Sequence, residues 1–290
     1  MGHPFAGLKG TAIFSVYDGH GKYGHEVSQE AMHTIFHMLE ESADELYDEP
    51  AGTLADAFEA CNMHLRLMAC EPEIEVNSLE SGTCAAVAYL HHRELFVASV
   101  GDCRCVIGAI DEAGAFSSLQ LSTDHKVDLP AEQERIESKG GWVRASRIDP
   151  EDGEFVPARM YEVEGKQWLG PGLCISRALG DLNALRVGLV PTPEISKHTL
   201  RPEDRFLILA SDGVWEFMEN DEVVQTVASC HEKGLPALDA CRYLIAKAAV
   251  CWRKFEGNYR DDITAIVVYL DETLNILADE DPDQPTQPTA

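Results

Sequence analysis

The chain is short of positive charge. Of its 290 residues 23 are Lys or Arg against 50 Asp or Glu, a formal charge of −27. Such a balance repels nucleic acid and anionic membrane surfaces, and would repel a phosphorylated ligand unless something cationic, such as bound metal, reverses the field locally. No apolar run approaches the roughly 20 residues needed to cross a bilayer. Nor does a charged segment followed by an apolar stretch open the N-terminus, so no membrane span and no secretion are expected. Met1-Gly2 is followed by Ala6 where a myristoylation signal wants Ser or Thr. The nine cysteines, at 61, 70, 84, 103, 105, 174, 230, 241 and 251, include no CxxC pair, which argues against a disulfide framework and a zinc site. They read as reduced core thiols of an intracellular, cytoplasmic or nuclear, protein. A Gly-rich loop ending in Lys-Ser/Thr is missing, and strands do not alternate cleanly with helices, which disfavours a nucleotide-binding α/β fold. There is no internal repeat, and no linker between 11 and 270. One domain over 11–271 is expected, after an N-terminal extension at 1–10 and before an acidic, disordered tail at 272–290.

What the chain does have is a strand ending that recurs. Ile13-Phe14-Ser15-Val16-Tyr17 is a short run rich in β-branched and aromatic residues that closes in Asp18-Gly19-His20-Gly21, as a core strand hands over to a loop. The glycines at 19 and 21 allow φ > 0 or close approach of the backbone to a ligand. Taken alone, Asp-Gly is a common turn dipeptide. The pattern returns at Val100-Gly101-Asp102, at Ser211-Asp212-Gly213 after the apolar run Arg205–Ala210, and at Arg260-Asp261-Asp262 before Ile263–Leu270.

Between these points the period predicts helices at 24–40, from about Thr53, after Pro130, at about 220–231 and at 236–254. Thr83–Leu90 and Glu94–Val100 read as a hairpin, continued by a strand from Cys103. His33 and His37 are four apart, a zinc-chelating spacing, but lie opposite the apolar stripe of their helix and read as solvated. From Trp142 to Gly170 no period holds for long, and the segment is expected to be a mobile, functional excursion.

Acids at several strand ends of a sandwich can converge on one rim. Converging carboxylates repel unless protonated or neutralised, and an oxygen-only donor set suits a hard cation, Mg²⁺ or Mn²⁺, better than zinc.

In order along the chain, Tyr17-Asp18-Gly19-His20-Gly21, Ser81-Gly82-Thr83, Gly101-Asp102-Cys103-Arg104, Asp124-His125-Lys126, Glu134-Arg135 through Gly140-Gly141, Gly170-Pro171-Gly172, Ser176–Asp181, Ser211-Asp212-Gly213 and Arg260-Asp261-Asp262-Ile263-Thr264 resemble the motifs of the metal-dependent type 2C serine/threonine protein phosphatases. The resemblance spans about 11 to 270. It implies an α+β fold, a β-sandwich of two antiparallel sheets flanked by helices (α-β-β-α), with two metal ions and a weaker third at one rim. By that resemblance Asp18 bridges both ions and the carbonyl of Gly19 binds one of them. Asp212 and Asp261 complete the other, with Asp262 where the family more often has Asn, and Asp102 helps hold the third. His20 stands where the family places its general acid, and the excursion at 142–170 corresponds to the flap beside the cleft. Implied too are phosphoprotein substrates, a monomer, and hydrolysis of phosphoserine or phosphothreonine by a metal-activated water without a protein nucleophile.

The chain departs from that pattern ahead of Asp18. Relatives carry there an arginine that grips phosphate and a glutamate that supports a metal, whereas none of the 17 residues before Asp18 is Arg or Glu. Lys9 cannot reproduce a bidentate guanidinium contact. The first strand is also expected to lie at an open sheet edge. A non-catalytic or weakened phosphatase-like binding module is therefore the alternative reading, and residues that contact substrate are left open.

Overall fold

In the computed structural model, which describes residues 4–71, 77–151 and 153–274, the chain opens with β1 (Thr11–His20), α1 (Gly24–Glu41), α2 (Ala43–Asp48) and α3 (Pro50–Met68). Four strands follow, β2 (Gly82–His91), β3 (Glu94–Val100), β4 (Arg104–Ile110) and β5 (Phe116–Gln120), and then α4 (Pro130–Ser138). Short strands come next: β6 (Trp142–Arg144), β7 (Arg147–Ile148), β8 (Phe155–Val156), β9 (Arg159–Tyr161), β10 (Pro171–Leu173) and β11 (Leu179–Gly180). The chain then runs through β12 (Glu194–Thr199), β13 (Asp204–Ala210), α5 (Asp212–Trp215), α6 (Asn220–His231), α7 (Ala237–Phe255) and β14 (Ala265–Tyr269).

The main strands form two antiparallel sheets, ordered β1-β2-β3-β12, with β11 also on β2, and β14-β13-β4-β5. Strand β1 lies at one end of the first sheet, as expected. Side chains alternate between faces along a strand. Ala12, Phe14 and Val16 of β1, Cys84, Ala86 and Ala88 of β2, and Leu95 and Val97 of β3 therefore meet Cys105, Ile107, Leu207 and Leu209 of the second sheet in one core. The opposite parity, Ile13, Ala85, Val87, Tyr89 and Phe96, is covered by Val27, Ala31 and Ile35 of α1 and Leu54, Phe58 and Leu65 of α3. On the far side Val106, Phe206 and Ile208 pack against Val223, Val227 and Leu244 of α6 and α7. Burial on both faces explains why residues 83–90 read as an unbroken apolar run rather than an alternation, and each fully buried Leu, Val or Phe contributes about 1.5–3 kcal/mol. The layers are helix, sheet, sheet, helix.

Several local details differ from expectation. The helix expected from Thr53 begins at Pro50, which needs no N–H at a first helical position. Thr53 sits inside it and returns its hydroxyl to Glu49 O at 2.9 Å. The excursion from Trp142 carries its own small sheet, β10-β9-β6, and a β7–β8 hairpin. Strands of two or three residues are too short to print a period. Phe5, in the 1–10 stretch, is 1% exposed and meets Phe36 and Tyr89 edge-on at 5.1 and 6.4 Å. All nine cysteines are free, with Cys70 exposed. Among the described residues no helix is long and apolar enough to cross a membrane. Most of the expected acidic tail, from 275 on, lies outside the described residues.

Candidate active site

Asp18 continues the row Ala12, Phe14, Val16 along β1, so its carboxylate leaves the strand on the inter-sheet face at the rim. Gly19 then packs on the start of α1, where a Cβ would stand 2.1 Å from Gly24 O. The close approach read from the sequence is thus to the following helix, and it is Gly21, at φ +81°, that takes the left-handed conformation. At the end of an inner strand of the other sheet, Asp212 opens α5 with only Ser211 between it and β13. Asp261 is brought beside it by the segment entering β14. Ser211 N donates to Thr264 O at 3.0 Å and Ser211 Oγ to Asp262 O at 3.1 Å. Gly213 makes room for this crossing, because a Cβ there would lie 2.2 Å from Asp262 O. Asp102 follows the left-handed Gly101 (φ +80°) at the end of β3.

These strand ends meet in one cleft of about 650 Å³, lined by Asp18, Gly19, His20, Asp102, Asp212 and Asp261. Its outer wall comes from Trp168, Leu169 and Pro171 beyond β9 and from Asn183 and Arg186. All six residues singled out from the sequence are therefore brought together. The acids feel one another. Burial, with the charges of Asp102 and Asp261, pushes the Asp18 carboxyl up to about 6 against the hydrogen-bonding pull of Asp212. Asp212 goes further, to about 9, through burial and the charges of Asp102, Asp18 and Asp261. Its Oδ1 is buried and has no hydrogen-bond partner. Among the described residues no three His, Cys, Asp or Glu side chains already close on a single point. A partnerless buried oxygen on Asp212, a carboxyl that burial and the neighbouring acids push toward its protonated form, fits a hard divalent cation, which would supply the missing charge and accept oxygen donors only.

Asp102 differs from its neighbours. Burial would raise its pKa, but Lys126, with Nζ 2.5 Å from Asp102 Oδ2, holds it below the usual carboxylate range. Cys84 donates its thiol hydrogen to the other oxygen at 3.1 Å.

His20 has a partner that the sequence reading did not assign. Its Nε2 lies 2.5 Å from Oδ2 of Asp181, which is 5% exposed. The carboxylate can only accept, so Nε2 carries the hydrogen and Nδ1 is left to exchange a proton elsewhere. Burial alone would lower the imidazole pKa, but the hydrogen bond and charge of Asp181, with Asp102 and Asp18 behind them, carry it above its ordinary value. Asp181 is delivered by β11, which pairs with the start of β2 through Gly180 and Gly82. A Cβ on Gly82 would stand 2.2 Å from Asp181 Oδ2 and 2.9 Å from His20 Nε2. The Gly-Asp ending of Leu179-Gly180-Asp181 is the signal in the sequence that could have pointed to it.

The protein phosphatase 2C family model matches residues 4–250. A protein of Arabidopsis thaliana named Probable protein phosphatase 2C 72 is 34% identical over 270 residues, 91% of this chain and 78% of that one. The chain belongs to the protein phosphatase 2C family. A rice relative, Probable protein phosphatase 2C 12 of Oryza sativa subsp. japonica, is 32% identical over 81% of this chain and 56% of its own length. The fold is likewise shared with solved structures. A serine-threonine phosphatase 2C from Toxoplasma gondii superposes with TM-score 0.71 at 22% identity, over 89% of this chain and 84% of that one. A C. elegans sex determining protein does so with TM-score 0.69 at 20% identity, over 92% of this chain and 59% of that one. The protein phosphatase 2C sandwich thus sets the acids of four strand ends around one cleft.

Proposed function

We propose that this chain hydrolyses phosphoserine and phosphothreonine in proteins, with Asp18, the carbonyl of Gly19, Asp212 and Asp261 holding two Mg²⁺ or Mn²⁺ ions and His20 acting as general acid. The observation that carries the reading is the convergence of Asp18, Asp212 and Asp261 in the cleft that also holds His20. Divalent cations bound there supply positive charge for the phosphoryl group and activate water for attack on phosphorus. The carboxylates fix where those ions sit. A serine or threonine alkoxide is a poor leaving group, and His20 answers that need: Asp181 keeps Nε2 protonated and aims the ring, so that Nδ1 hands over the proton. No side-chain nucleophile is called for. The wall of Trp168, Leu169, Asn183 and Arg186 is where the peptide on either side of the phosphorylated residue would lie. Of the cleft's arginines, Arg159 donates to Gly172 O at 2.6 Å and Arg186 pairs with Glu162 at 2.7 Å, so neither is a free phosphate clamp.

The reading is tested by p-nitrophenyl phosphate hydrolysis with and without Mn²⁺, on the wild type and on Asp212→Ala. Metal-dependent turnover that the substitution abolishes is expected. No metal-dependent turnover in the wild type, with Mn²⁺ still bound, would instead leave a phosphatase-like binding module.

A further inference from the structure

The rim aspartates do not start from the same electrostatic state. Asp212 keeps a buried Oδ1 without a hydrogen-bond partner, whereas Asp102, 4% exposed, has both oxygens taken, by the Lys126 ammonium at 2.5 Å and the Cys84 thiol at 3.1 Å. Lys126 is not a loose surface side chain. Its backbone pairs with Ile175 in an isolated bridge, and Val127 N donates to Cys174 O at 3.2 Å, so the residue is anchored to the segment leaving β10. Its side chain is 35% exposed and reaches inward. A divalent ion arriving at Asp102 meets a carboxylate already neutralised and an ammonium where the ion would bind.

We propose that Lys126 is the resident counter-ion of Asp102 and that any cation bound at this acid, beyond the two assigned to Asp18, Asp212 and Asp261, enters by displacing it. Lys126 thereby sets how weakly the third ion binds. The inference rests on the two-ion reading above and concerns a residue which that reading leaves without a role. Taking away a unit positive charge beside a cation site strengthens binding of a divalent ion, here by about tenfold or more. It also leaves a buried carboxylate unpaired, which destabilises the protein until a cation arrives.

The experiment counts Mn²⁺ by the electron paramagnetic resonance of the free ion, on the full chain, and follows thermal unfolding in EDTA and in Mn²⁺. Lys126→Met is expected to melt below wild type in EDTA, to gain more from Mn²⁺ than wild type gains, and to bind the third ion about tenfold or more tightly. Lys126→Met with Asp102→Asn removes both the buried charge and the third ion, and restores folding if the single variant is too unstable to purify. An unchanged third affinity in Lys126→Met, or a third ion that persists in the double variant, would overturn the assignment. Should Asp212→Asn retain both stronger ions, the two-ion reading itself fails. Should it lose one while Lys126→Met leaves the third unchanged, only the role of Lys126 fails.

Discussion

His20 and Asp181 lie 161 positions apart and meet at 2.5 Å. Their contact makes a prediction that depends on the leaving group. His20→Gln should lower kcat on a phosphothreonine peptide by about 10²- to 10⁴-fold, the usual worth of a positioned general acid. On p-nitrophenyl phosphate, whose leaving group needs no proton, it should cost far less. Asp181→Asn keeps the shape but supplies an amide in place of the carboxylate, and should follow the same selectivity at about a tenth of wild-type peptide turnover. Equal losses on both substrates would reduce the pair to a structural contact. The sequence could nominate His20 because it sits two residues from Asp18 in a recognisable strand ending. Asp181 becomes its partner only through the pairing of β11 with β2, a long-range event that no local period announces. Lys126 is in the same position: its neighbours in sequence say nothing of Asp102.

At the scale of elements, the loop that carries Asp181 is held from below by α4. Glu132 of that helix, 5% exposed, accepts from Arg135 and Arg177 at 2.6 Å each and from Ser176 Oγ at 2.5 Å. Arg135 also reaches Ser176 O at 2.8 Å and Gly188 O at 3.0 Å. Burial would raise the Glu132 carboxyl, yet these partners hold it down at about 2. A carboxylate with a depressed native pKa stabilises the fold fully above its unfolded value, near 4.3, and that share is lost as pH falls toward 2. Glu132→Gln should cost about 3 kcal/mol at neutral pH, by leaving two guanidinium groups without their partner, and should flatten the decline in melting temperature below pH 4.5. A variant that keeps the wild-type acid profile would contradict this account. The long helices and the core strands were legible because their apolar periods are sustained. Strands β5 to β9 were not, since an exposed or very short strand carries no pattern to read.

For the whole molecule, a few of its many acids lie where their charge costs most, in the cleft. Asp18 and Asp212 have native pKa values raised to about 6 and about 9. For a raised carboxylate the sign runs the other way: nothing is lost below the unfolded pKa, near 3.9, and the penalty grows until pH passes the native value. In EDTA the melting temperature should therefore fall between pH 5 and pH 9, Mn²⁺ should restore it most at the alkaline end, and Asp212→Asn should remove most of the slope. The four strand-end acids were readable in the sequence because each repeats the same grammar beside a glycine or a second acid. Their arrangement was not, because it depends on which sheet ends share a rim and on how Gly213 admits the 261–264 crossing.

The central claim is that these converging acids hold the ions that make phosphate ester hydrolysis possible. Its most direct test is a single titration in which bound Mn²⁺ and phosphothreonine-peptide turnover are measured on the same sample of wild type and of Asp261→Asn. The account predicts that wild-type turnover rises from zero and approaches saturation as the second ion binds, and that Asp261→Asn loses one ion together with nearly all turnover. Turnover that persists in EDTA, or an Asp261→Asn variant with full activity, would contradict it.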